Sequence, residues 1–127
     1  MALEDLCNAK SWGMVIYEIM NDGSLKGSWA DTHYGTQQKT MLEIAMPVEE
    51  KNVGDDIDGK YTDTYIQGAN DSVTGVLTIS KQWNDGTYEL EWRGKENKQK
   101  YTGIGFKIGE KQIAVTYWKV KKENIDG

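Results

Sequence analysis

At 127 residues and a formal charge of −5, the chain is sized for one domain with one core, and its charge argues against a nucleic-acid or anionic-membrane surface, because phosphate contacts need a clustered positive field. A single cysteine, Cys7, can form neither an internal disulfide nor a thiolate metal site, and no metal or cofactor is expected. Fourteen Gly, one Pro, five Trp and seven Tyr against one Phe describe a turn-rich β domain whose aromatics carry polar tips.

Ala2 to Lys10 sets Leu3, Leu6 and Cys7 at helical spacing, so a short amphipathic turn is expected within an N-terminal extension over 1–11. No apolar run reaches the length of a membrane span, and the start lacks the basic and long apolar parts of a signal peptide, so a soluble, cytoplasmic protein is the expectation. From Gly13 apolar and polar residues alternate. Val15, Tyr17 and Ile19 share one strand face, a turn at Asn21-Asp22-Gly23 follows, and Leu25, Gly27 and Trp29 share a face of the next strand. Asp31 to Lys39 reads as a polar loop carrying the only histidine, His33. Met41 to Met46 alternates again, with Leu42, Ile44 and Met46 expected inward and Glu43 outward, and Pro47 ends the strand. Val48 to Gly59, rich in acids and Gly, reads as a solvated excursion or an edge crossing. Lys60 to Tyr65 places Tyr61, Asp63 and Tyr65 on one face and Thr62 and Thr64 on the other, and either face could be the buried one.

Val73 to Trp118 contains two hairpins in similar wording. In the first, Val73, Gly75, Leu77 and Ile79 face a strand whose Tyr88, Leu90 and Trp92 alternate with Thr87, Glu89 and Glu91, across a turn at Asn84-Asp85-Gly86 that tolerates positive φ. In the second, Ile104, Phe106 and Ile108 are expected to oppose Ile113, Val115 and Tyr117, with Gly103 and Gly105 inviting a bulge. The predicted strands are 13–20, 24–30, 40–46, 60–66, 73–80, 87–93, 101–108 and 112–120, leaving 121–127 as a tail. An open meander of this length would leave two long exposed edges, so the expected fold is all-β, an eight-stranded antiparallel up-and-down barrel closed between its first and last strands.

The runs Tyr88-Glu-Leu-Glu-Trp92, Lys100-Tyr-Thr-Gly103 and Ile113-Ala-Val-Thr-Tyr-Trp118 resemble the later strands of avidin and streptavidin-type barrels: a Trp-bearing strand, an aromatic-Thr-Gly start and a Trp near the end of the next hairpin. With Asp22-Gly-Ser-Leu-Lys-Gly-Ser-Trp29, the wording is also similar to bacterial domains built from Gly-to-Trp hairpins, in which the counterpart of 13–46 follows that of 60–118. The polar biotin-binding pattern near the first strand of avidins has no counterpart here. The resemblance therefore implies the barrel more than a particular ligand.

An eight-stranded barrel is just wide enough to fill itself with side chains or to hold one small ligand. The expected ligand-binding set is Trp29, Trp92 and Trp118 near strand ends, with Tyr61, Tyr65 and the intervening Asp63, whose carboxylate would orient a small apolar or amphipathic guest. A second reading is a self-filled barrel that associates through outward aromatics on the last two strands, as a homodimer for example, with Trp118 pointing outward. A third is a small enzyme using Asp63 or His33 as acid or base, although no nucleophile elbow accompanies His33. Asp55, Asp56 and Asp58 lack the alternation and distal Glu of a calcium loop and read as a solvated acidic loop.

Overall fold

The computed structural model of the chain describes residues 12–32, 41–67, 71–82, 86–94 and 100–120. They form eight strands: β1 (Trp12–Ile19), β2 (Leu25–Asp31), β3 (Met41–Pro47), β4 (Gly59–Gln67), β5 (Asp71–Lys81), β6 (Thr87–Gly94), β7 (Lys100–Gly109) and β8 (Gln112–Lys119). Each pairs antiparallel with its neighbours in the chain, and β8 returns to β1, so the sheet closes into a barrel. No helix occurs among the described residues, and the turn expected over 2–10 lies outside them, as do Cys7 and His33. The tight β1–β2 turn is held by Asp22, whose Oδ1 accepts from both the amide and the hydroxyl of Ser24, with Gly23 at φ 86°.

Alternation sorts each strand into an inner and an outer face. Val15, Tyr17, Leu25, Trp29, Leu77, Ile79, Tyr88, Leu90 and Trp92 point into the core as expected, and Tyr61 and Asp63 do as well, leaving Thr62 and Thr64 exposed. Two strands turn the other way. In β3 the buried residues are Met41, Glu43 and Ala45, while Leu42, Ile44 and Met46 are each nearly half exposed. In β7 Gly103 and Gly105 face inward, and Phe106 and Ile108 face out.

Interior space explains both reversals. A Cβ on Gly103 would sit 3.1 Å from the Trp92 ring, and one on Gly105 would sit 2.6 Å from Val115. The aromatic and branched side chains of β6 and β8 already fill the volume that Ile104, Phe106 or Ile108 would need. In β3, a one-residue change of face brings Glu43 level with Tyr17 and Gly27, and the Tyr17 ring lies where a Gly27 side chain would be, 2.9 Å from an added Cβ. The ladder irregularity expected at Gly103 and Gly105 occurs instead between Lys107 and Gly109, beside the β7–β8 turn.

The segment between β3 and β4 is exposed along most of its length and crosses one end of the barrel. Ile57 is buried in the core, and its carbonyl accepts a 2.6 Å bond from the Tyr61 hydroxyl. Asp56 accepts from Tyr88 at 2.6 Å and pairs with Lys81 at 2.7 Å, while Lys51 donates to the carbonyls of Asp56 and Asp58. Burial works to raise the Asp56 pKa, but bonds from Lys81, Tyr88 and the Ile57 amide outweigh it and hold the carboxyl at about 2. A pKa below the unfolded value means that Asp56 contributes stability above about pH 4 and loses it as the pH falls toward 2. Ile57→Ala is expected to cost about 2–4 kcal/mol in denaturant unfolding. Asp56→Asn should flatten the loss of stability between pH 4 and 2 relative to the parent; equal slopes in the two proteins would contradict the anchoring role.

Candidate functional site

Tyr17, Gly27, Glu43 and Tyr65 stand side by side on β1 to β4, one layer of the inner wall. The Tyr17 hydroxyl donates to Glu43 Oε2 at 2.6 Å, and Trp92 Nε1 donates to the same oxygen at 3.2 Å. One inward position along, Asp63 pairs with Ala45 and Gly75 and is 1 % exposed, with no donor directed at either carboxyl oxygen. An ionised carboxylate so placed would be strongly destabilising. Burial first, then the charge of Glu43 and a hydrogen bond shared with it, push the Asp63 carboxyl far above the usual carboxylate range. Asp63 therefore keeps its proton at neutral pH, as a buried carboxyl with no donor directed at it must. Two donors, the Tyr17 hydroxyl and the Trp92 indole, converge on one oxygen of Glu43. Tyr17, raised by burial and then by the Glu43 charge, stays a donor.

Beside this pair the barrel opens. A cavity of about 60 Å³ lies at the end where β2, β4, β6 and β8 finish, with Glu43 in its wall and Asp31 at the end of β2. Its other walls are aromatic. Trp29 meets Tyr65 edge to face at 6.0 Å and 86°, Tyr101 meets Tyr117 at 5.9 Å and 75°, and Trp92 tilts against Tyr117 at 5.5 Å and 56°. Trp29 is fixed by its indole N–H, which donates to the Leu42 carbonyl at 3.2 Å. Tyr117 reaches over Gly13, where an added Cβ would lie 2.7 Å from its hydroxyl. Its phenol is pushed well up, by burial first and then by the charges of Asp31 and Glu43, so both carboxylates act on this space. No Lys, Arg or His lines the cavity among the described residues.

A larger cavity, about 250 Å³, lies at the other end between residues 51–57 and the β1–β2 and β7–β8 turns. Asp55, Lys107 and Glu110 line it from exposed positions and Lys51 from a half-buried one, and its buried members, Ile57 and Tyr61, satisfy each other. Size favours this cavity, but chemistry favours the smaller one, where a buried carboxylate and five aromatic rings converge.

Of the residues expected to bind a ligand, Trp29, Tyr65 and Trp92 come together in the smaller cavity. Asp63 sits behind it and acts through Glu43. Tyr61 belongs to the closed end of the barrel. Trp118 is on the outer face, across from Trp12 and Thr102, and although buried it lies outside the contiguous core. Sequence reasoning missed Glu43, Asp31, Tyr101 and Tyr117. The signal available for Glu43 was a lone acid within an alternating strand, and alternation alone leaves open which side is the interior. No protein-family model, curated protein or solved structure matches the chain.

A raised Asp63 pKa has a definite sign for stability. Below about pH 4 both folded and unfolded states bind the proton; as the pH rises further only the folded state keeps it, so folding weakens with increasing pH. Asp63→Asn keeps an N–H donor for Glu43 without this penalty. It is expected to raise stability at pH 7 by about 1–4 kcal/mol, with the gain vanishing near pH 4. Denaturant unfolding of both proteins between pH 4 and 8 checks this, and a gain that does not depend on pH would refute the protonated assignment.

Proposed function

We propose that this protein is a non-enzymatic binding barrel, of the up-and-down streptavidin and lipocalin kind, that takes a small, partly apolar ligand into its aromatic mouth. The observation that carries this reading is an open cavity walled by Trp29, Tyr65, Trp92, Tyr101 and Tyr117 around the buried, hydrogen-bonded Glu43. At roughly 10–15 Å³ per water-sized group, 60 Å³ admits only a few heavy atoms. The guest is therefore a small molecule, or one end of a longer molecule whose remainder leaves through the mouth. The site offers aromatic contact and an orienting charge, and no nucleophile stands beside a base among the residues lining it. The avidin-like wording of β6 to β8 supports the same reading.

Trp29 and Trp92 report on the cavity directly. Titration with small amphipathic compounds should give a saturable change in tryptophan fluorescence and a raised melting temperature, because ligand at a hundredfold excess over Kd stabilises the folded state by about 2.7 kcal/mol. Trp92→Phe should weaken binding. A full panel that moves neither signal would sink the binding reading.

A second reading draws on the outer surface. Trp12, Met14 and Ile16 of β1, with Phe106 of β7 and Leu42 and Ile44 of β3, are exposed large apolar side chains, and Ile16 stands between Ala114 and Ser28 in the ladder. Such a face suits a second copy of the chain. Sedimentation should then show a dimer that Ile16→Lys converts to monomer; a monomeric parent protein at high concentration would exclude it.

A further inference from the structure

We infer that the guest is a small organic cation, an ammonium or methylated ammonium group held among the aromatic rings with Glu43 as its counter-ion; this deepens the small-ligand reading and rests on it.

Charge comes first. The described lining contains two carboxylates, Glu43 and Asp31, and no basic side chain. An anionic guest would face the buried Glu43 carboxylate with no basic side chain among the described lining. A neutral apolar guest would remove water from Glu43 and leave only the Tyr17 and Trp92 hydrogen bonds to support its charge, a costly outcome in so buried a place. A cation removes that cost, and water exclusion then strengthens the attraction.

The walls fit the same conclusion. Aromatic rings present negative faces, and a cation among several of them is attracted by each. Trp29, Tyr65, Trp92, Tyr101 and Tyr117 meet at steep mutual angles, so they form an enclosure and not a flat stack. Methylated ammonium groups suit such an enclosure because they are cationic yet carry apolar surface. Tyr17 and Trp92 both donate to a single Glu43 oxygen, which fixes the carboxylate in advance of binding.

The buried Asp63 points the same way. A barrel built only to enclose apolar matter has no use for two interior acids, and this one keeps them where they weaken the fold.

Three probes of one shape separate the possibilities: choline, its uncharged carbon isostere 3,3-dimethyl-1-butanol, and the anion 3,3-dimethylbutyrate, each titrated by tryptophan fluorescence and calorimetry. Choline is expected to saturate the signal at concentrations at which the other two, tenfold more concentrated, do not. If the alcohol or the carboxylate binds as well as choline, the cation inference is overturned while the small-ligand reading stands. If none of the three binds, and the wider amphipathic panel is also silent, both are overturned. Glu43→Gln retains an acceptor for Tyr17 and Trp92 and should weaken choline roughly tenfold or more. Unchanged choline affinity in a folded E43Q would refute the role of Glu43. Should E43Q fail to fold, Asp31→Asn carries the test, with a roughly threefold loss for choline expected and no loss refuting the electrostatic account.

Discussion

Hydrogen bonding between β1 and β8 closes the sheet, and closure divides every strand into a side that meets water and a side that meets only other side chains. Tyr17 opposite Ile113, Val15 opposite Val115 and Gly13 opposite Tyr117 mark this seam on the inner wall. With no edge left, any polar group that points inward has to find its partner inside the barrel. Glu43 finds Tyr17 across Gly27 and Trp92 across the lumen, and Asp63 keeps its proton. The candidate site is thus a consequence of closure.

The two ends of the barrel are built differently. At one, Ile57 enters the core and Asp56 ties its segment to Lys81 and Tyr88, so the aromatics there spend their hydroxyls on backbone and anchor groups. At the other, Trp29, Tyr65, Trp92, Tyr101 and Tyr117 surround open space. The same residue types serve at both ends, and at the first the segment between β3 and β4 crosses over them.

Both buried acids bear on stability in a manner that ordinary core residues do not. Apolar side chains in their places would remove a desolvation cost and a pH dependence. Two donors converge on one oxygen of Glu43, while the carboxyl of Asp63 is pushed far above the usual carboxylate range by burial.

Period-two alternation and turn residues located all eight strands to within one or two positions of those observed, and the need to bury edges implied a closed barrel. These features are local or depend only on counting strands, so the sequence by itself determined them. It also gathered Trp29, Tyr65 and Trp92 as candidates, because amphipathic aromatics near strand ends suit a barrel mouth. It could not decide which face of β3 and β7 lay inside. Leu42, Ile44 and Met46 are more apolar than Met41, Glu43 and Ala45, and Phe106 more than Gly105, so hydrophobicity alone points the wrong way. Tertiary structure decided this through volume and pairing. The rings of Trp92, Tyr17 and Tyr117 need glycines opposite them, and the inward hydroxyl and indole N–H need an acceptor that only Glu43 supplies. Whether a residue faces the interior depends on neighbours tens of positions away in the chain, and that information exists only once the barrel has closed.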